Sequence, residues 1–165
     1  MRQIKAIVIH CAATPDGDAR FDRTWCDILH RKKGWRMIGY HRYIEISGLV
    51  VVGRKLKEIG AHVSGQNSRT VGICIAGMSR FTLPQWESLA NQVNDLQDLY
   101  PTAEVKGHRD YSPDLNGDGI IEPWEYMKEC PCFDVATWLA GAKQPLAGHI
   151  FVPDNQGEDN VPQVP

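Results

Sequence analysis

The sequence predicts an α/β fold of the α+β-like kind, in which a central mixed β-sheet is flanked by helices. Three observations predict it. Short β-rich apolar runs recur along the chain, amphipathic helical stretches fall between some of them, and 165 residues suit one compact domain.

The elements follow in order. Residues 4–10, IKAIVIH, are an apolar, β-branched run that reads as a buried strand. A polar turn, TPDGDAR, comes next. Asp22 then caps a helix over 23–33, where Trp25, Ile28, Leu29 and Lys32 share one helical stripe and Gly34 ends it. YHRYIEI (40–46) and LVVVGR (49–54) read as strands joined by the two-residue hairpin Ser47-Gly48. TVGICIA (70–76) is another buried strand. Thr82 and Gln85 make a capping-box pair for a long helix, with Trp86, Leu89, Ala90, Val93, Leu96 and Tyr100 on its apolar face. AEVKGH (103–108) is a strand ending at His108, and 133–142 reads as a last helix with Asp134 near its start. Beyond that, QPLAGHIFVPDNQGEDNVPQVP has four prolines and little periodicity. Residues 143–165 therefore read as a flexible tail, in which only HIFVP has the character to dock.

Composition narrows the function classes. The formal net charge is −2, which argues against a general nucleic-acid footprint. The longest apolar runs, AIVI at 6–9 and LVVV at 49–52, are far too short for a membrane span. The start, MRQIKAIVIHCAA, reads as a strand rather than a signal peptide, so cytoplasmic synthesis without an export signal is expected. A monomer is the expected state. The five cysteines do not suggest a disulfide framework. Cys26 and Cys74 sit among apolar neighbours and read as core residues.

Three segments place a metal-capable side chain at or just beyond a strand end: His10, His108, and Cys130 in the CPC turn. Two histidines and a cysteine suit a catalytic zinc site, which keeps a fourth position for water. Their spacing matches no local zinc motif, and a lone histidine at a strand end is commonly a hydrogen-bonded structural residue. The residues alone leave both readings open.

The segments IVIHCAAT, GWRMIGYHRYI, IGAHVSGQN, SRTVGICIAG, VKGHRD and KECPCFD occur in this order. Together, over about residues 4–140, they resemble the amidase-type phage lysozymes and the related peptidoglycan recognition proteins. The resemblance implies that family's fold, a zinc site at His10, His108 and Cys130, and catalytic roles for Tyr40 and Lys128. It implies hydrolysis of the amide between the N-acetylmuramic acid lactyl group and L-alanine of peptidoglycan, after release to the cell wall. Cys130 matches the family's ligand because it directly precedes proline and follows Lys128 by two residues. Cys132 stands where serine or glycine is commoner, and is open to reading as a spare thiol, a donor near the metal or a packing residue. His41 and His62 match positions near the substrate cleft. His62, in a glycine-rich loop, is the favoured substrate contact, with Asn67 from the same loop. Strand alternation points His41 away from Tyr40, so it reads as structural. A peptidoglycan-binding module without catalysis is the alternative, although such proteins generally lack the cysteine ligand.

Between His108 and Lys128 lies DLNGDGIIEPWE (114–125), which fits the twelve-residue EF-hand loop. Asp114, Asn116 and Asp118 take positions 1, 3 and 5, and Gly119 takes the sharp turn at position 6. Ile120 offers its carbonyl, Glu122 stands at position 9, and Glu125 closes the loop at position 12. Calcium is expected there in a structural role. The domain reading is thus residues 1–142 with this loop as an insertion, followed by the tail.

Overall fold

The structure, a computed structural model, describes residues 2–153. Five strands, β1 (Ala6–Cys11), β2 (Arg42–Ile44), β3 (Val50–Val52), β4 (Thr70–Ile75) and β5 (Glu104–Gly107), form one sheet in the order β3-β2-β4-β1-β5. All neighbours are parallel except β2 and β3, so the sheet is mixed as expected. Three helices accompany it: α1 (Arg23–Lys32), α2 (Leu83–Leu99) and α3 (Val135–Ala140).

Strand alternation divides the chemistry of the two faces. Ile7, Ile9 and Cys11 of β1, with Val71, Ile73 and Ile75 of β4, pack against Trp86, Leu89, Val93 and Leu96 of α2 and against Phe133 and Trp138. Cys74, Tyr43 and Cys26 pack together on the other face, toward α1. Cys26 and Cys74 are buried core residues, as the sequence implies.

Local signals set the helix ends. Asp22 accepts a hydrogen bond from the Trp25 amide at 2.7 Å, and Asp134 accepts one from the Thr137 amide at 2.6 Å. Thr82 and Gln85 form the reciprocal capping box. After α1, Gly34 takes φ +84°, the Gly34 amide donates to Arg31 O and the Trp35 amide donates to His30 O. These are the paired bonds of a Schellman motif, which needs a left-handed residue where glycine stands.

Three details differ from the sequence expectation. The buried face of α1 is Cys26, Asp27 and His30, while Ile28 is exposed. Asp27 accepts from the Ile38 amide at 2.6 Å and His30 Nδ1 from the Gly39 amide at 3.0 Å. The polar residues are buried because they fasten the loop that carries Tyr40. The β2–β3 connection is a three-residue loop rather than a two-residue turn. The Glu45 amide donates to Leu49 O, the Gly48 amide donates to Glu45 O, and Gly48 takes φ +85°. Finally, docking begins the segment expected to be a tail. Phe81 exchanges backbone hydrogen bonds with His149 O and the Phe151 amide, and Trp86 Nε1 donates to His149 O. A Cβ at Gly17 would fall onto the Phe151 ring. The rest of the expected tail, 154–165, lies outside the described residues. Among the described residues, no helix is long and apolar enough to cross a membrane.

Truncation after Lys143 should therefore lower the melting temperature by roughly 4–8 °C, taking ~2 kcal/mol for the lost bonds and packing and about 2–4 °C per kcal/mol. Truncation after Pro153 is the calorimetric control. Equal melting of the two truncated proteins would refute a stabilising role for 144–153.

Candidate active site

The site begins with strand register. β1 and β5 run parallel with Ile9 opposite Gly107, so the next residues, His10 and His108, lie side by side. Their ring centroids are 4.6 Å apart. The turn containing Cys130 closes over this end of the sheet. Cys130 O accepts from the Arg109 amide at 2.8 Å, and Cys130 Sγ accepts from the Cys11 amide at 3.3 Å. Gly107 makes that closure possible, because a Cβ there would stand 2.8 Å from Pro131 Cδ. One donor atom from each of His10, His108 and Cys130 comes within 4.8 Å of the others. The three predicted ligands are thus brought together from three segments.

Their electrostatics suit a metal. Burial, reinforced by His62, His108 and Lys128, holds His10 well below the ordinary histidine range. Burial and then Lys128 bring His108 down to about 4. The hydrogen bond with the Cys11 thiol lowers the Cys130 thiol against its own burial. Two neutral imidazoles and a sulfur biased toward thiolate are the donor set a catalytic zinc takes.

A hydrogen-bond chain orients His10. Its Nδ1 lies 3.7 Å from Cys130 Sγ, and its Nε2 lies 3.0 Å from His62 Nδ1. For Nδ1 to serve as a metal donor its lone pair must be free, and the neutral ring then carries its proton on Nε2 and donates to His62. His62 Nε2 then donates to Thr70 Oγ1 at 3.4 Å, and Thr70 Oγ1 donates to Gln66 O at 3.0 Å. Gly60 and Gly72 leave room for the His62 ring, since a Cβ on either would press into it. This placement behind His10 was not legible in the glycine-rich loop pattern that singled out His62.

The other predicted residues divide. His62, Asn67, His108 and Lys128 line one open cleft of about 540 Å³, together with Trp35 and Tyr111, which local motifs did not mark. Asn67 Oδ1 also accepts from the amides of His62 and Val63, so it shapes the loop as well as facing the cleft. Tyr40 is half-buried with its ring centroid 5.0 Å from that of His10. Burial, then the Cys74 thiol, hold its hydroxyl protonated. His41 is fully buried and bonded to the backbone, accepting from the Gly72 amide at Nδ1 and facing Glu58 O at Nε2. That arrangement matches its structural reading.

The loop at 114–125 directs its oxygens at its own backbone. Asp114 accepts from the Gly117 and Gly119 amides, Asn116 Oδ1 from the Asp118 amide, and Asp118 from the Ile120 amide. Glu125 is buried and accepts from the Leu115, Asn116 and Glu122 amides. Gly119 has φ +88° at the expected sharp turn. Among the described residues, the metal-capable group found is His10, His108 and Cys130, and the loop carboxylates form no second one.

The mixed sheet carries this donor set at the carboxyl ends of two parallel strands, with His108 lining an open cleft, and its fold is that of solved peptidoglycan amidases and peptidoglycan recognition proteins. The N-acetylmuramoyl-L-alanine amidase LysC from Clostridium intestinale has this fold, with 26% identity and a TM-score of 0.68 over 86% of this chain and 85% of that one. Drosophila PGRP-LB shares the fold at 23% identity and a TM-score of 0.61, over 79% and 76% of the two chains. The endolysin of Enterobacteria phage K11 is 32% identical over 142 residues, 79% of this chain and 82% of that protein. Residues 1–132 match the Amidase_2 family, N-acetylmuramoyl-L-alanine amidase, and the chain belongs to that family.

Replacing His62 with Phe would remove the acceptor for His10 Nε2. Zinc affinity measured by chelator competition should fall about 10–100-fold, with the far-ultraviolet circular dichroism unchanged. Undiminished affinity would count against the His62 contact as a support for the metal site.

Proposed function

We propose that this chain is a zinc-dependent hydrolase, an N-acetylmuramoyl-L-alanine amidase that cleaves the amide between the lactyl group of N-acetylmuramic acid and L-alanine in peptidoglycan. The observation that carries this reading is the approach of His10, His108 and Cys130 donor atoms to within 4.8 Å of one another beside an open cleft. Family membership and the phage endolysin relatives support it, and support action on the bacterial cell wall as an endolysin.

Zinc held by these three residues would supply a water acidified to a pKa of about 7 and a Lewis acid for the amide carbonyl. The remaining work falls to the protein's own groups. Lys128 is exposed in the wall of the cleft, where its ammonium can face the negative charge that grows on the attacked carbonyl oxygen. Tyr40 keeps its proton, and because its hydroxyl is partnered by the Cys74 side chain, donating to the same charge requires it to exchange that bond. Either group can pass a proton to the departing amine. Asn67 presents the substrate contact from the opposite loop, and the His62 ring lines the same wall with its nitrogens held by His10 and Thr70.

Calcium in the loop at 114–125 is part of the same proposal. Its support is the spacing of Asp114, Asn116, Asp118, Ile120 and Glu125, with Gly119 at the turn. An ion drawing on Glu125 would stiffen the segment that leads to Lys128 and Cys130.

Incubation with purified peptidoglycan should produce new amino termini on L-alanine, and a zinc chelator should abolish them. Binding without release would instead select a recognition module. Lys128→Ala is expected to lower kcat/KM by about 10²–10³-fold with zinc content unchanged. For the loop, added terbium should show emission sensitised by Trp124, whose indole donates to Glu122 Oε2 at 3.0 Å. Glu125→Ala should remove that emission, and calcium chelation should lower melting temperature and activity together. A silent wild-type terbium titration would eliminate the calcium site.

A further inference from the structure

Two thiols stand beside the donor set without belonging to it. Cys11 Sγ and Cys132 Sγ are 3.7 Å apart, and both cysteines are free. Cys11 immediately follows His10, and Cys132 follows Cys130 by two residues, so the pair joins the two segments that carry those donors. The pair lies on the opposite side of β1 from His10. Cys11 packs with Ile7 and Ile9 toward α2 and α3, and Cys132 is packed against the same cluster. Cys132 also adopts φ +68°, a left-handed conformation that a side chain makes costly. The turn is held there by the Cys132 amide donating to Glu129 O at 2.7 Å, which leaves the thiol aimed at Cys11.

We propose that Cys11 and Cys132 are an oxidant-closed latch, whose disulfide ties the CPC turn to the end of β1 and leaves Cys130 free as a metal donor. The sulfurs stand 3.7 Å apart, and closing the bond brings them to about 2.05 Å. Without an oxidant the pair stays as two thiols. With a diazene oxidant such as diamide, both S–H bonds break and one S–S bond forms. The two protons and two electrons pass to the N=N bond, giving the hydrazine. Transfer from a reducing to an oxidising compartment would close the pair through thiol–disulfide exchange with a disulfide partner that is itself reduced. The bridge spans a sequence separation of 121 residues, a long loop whose closure restrains the unfolded chain.

Protection of Cys130 rests on the zinc reading above, so the experiment starts by measuring zinc in the full-length protein. The zinc-loaded chain is then treated with diamide. Titratable thiols in denaturant should fall by two from the initial five, and tandem fragmentation should find a Cys11–Cys132 link. The melting temperature should rise, and zinc transfer to a chelator should slow several-fold. Cys132→Ser and Cys132→Ala should each melt as reduced wild type does and show none of these changes on oxidation. No link, a link through Cys130, or unchanged melting and zinc release would overturn the latch. Absence of zinc before oxidation would overturn the zinc reading alone, since the link and the melting shift are scored without metal.

Discussion

The parallel pairing of β1 with β5 is the constraint on which the site depends. Ile9 stands opposite Gly107, so the next residue of each strand contributes an imidazole to the same side of the sheet. A slip of one residue would send one of them to the other face, where α2 packs. Glycine at 107 is tied to the same geometry, because the turn bearing Cys130 lies directly against it. Register, close approach and donor convergence are therefore a single structural fact.

Burial then gives those donors their chemical state. Removing His10 and His108 from water favours their neutral forms, which keeps lone pairs available. Such burial would be costly for isolated polar rings. Here His10 passes its second nitrogen to His62, and His62 passes on to Thr70, so the buried rings of His10 and His62 each have a partner. The metal-capable donor His10 is thus backed by a hydrogen-bonded column that runs through His62 to Thr70 and Gln66.

Alternation along β1 separates two tasks. Its even-numbered side carries His10 toward the cleft, while Ile7, Ile9 and Cys11 join the core beneath α2. The end of this strand consequently meets the CPC turn through two contacts, Cys130 with His10 and Cys132 with Cys11. The turn is where metal-capable donors, core packing and the acidic insertion all connect.

Much of this was legible in the sequence because it follows local rules. Short β-rich apolar runs marked the strands, and Asp22, Thr82 with Gln85, and Asp134 marked helix starts through bonds to amides only a few residues away. The ordered motifs also named His10, His108, Cys130, Tyr40 and Lys128 as candidates. Tertiary structure decided what those rules do not reach: the burial of Asp27 and His30, the docking of Phe151 near Gly17, the contact of His62 with His10, and the meeting of Cys11 with Cys132. Each joins groups whose pairing depends on strand order and loop path. Local periodicity determines which side of an element a residue occupies, whereas packing alone determines what it meets there.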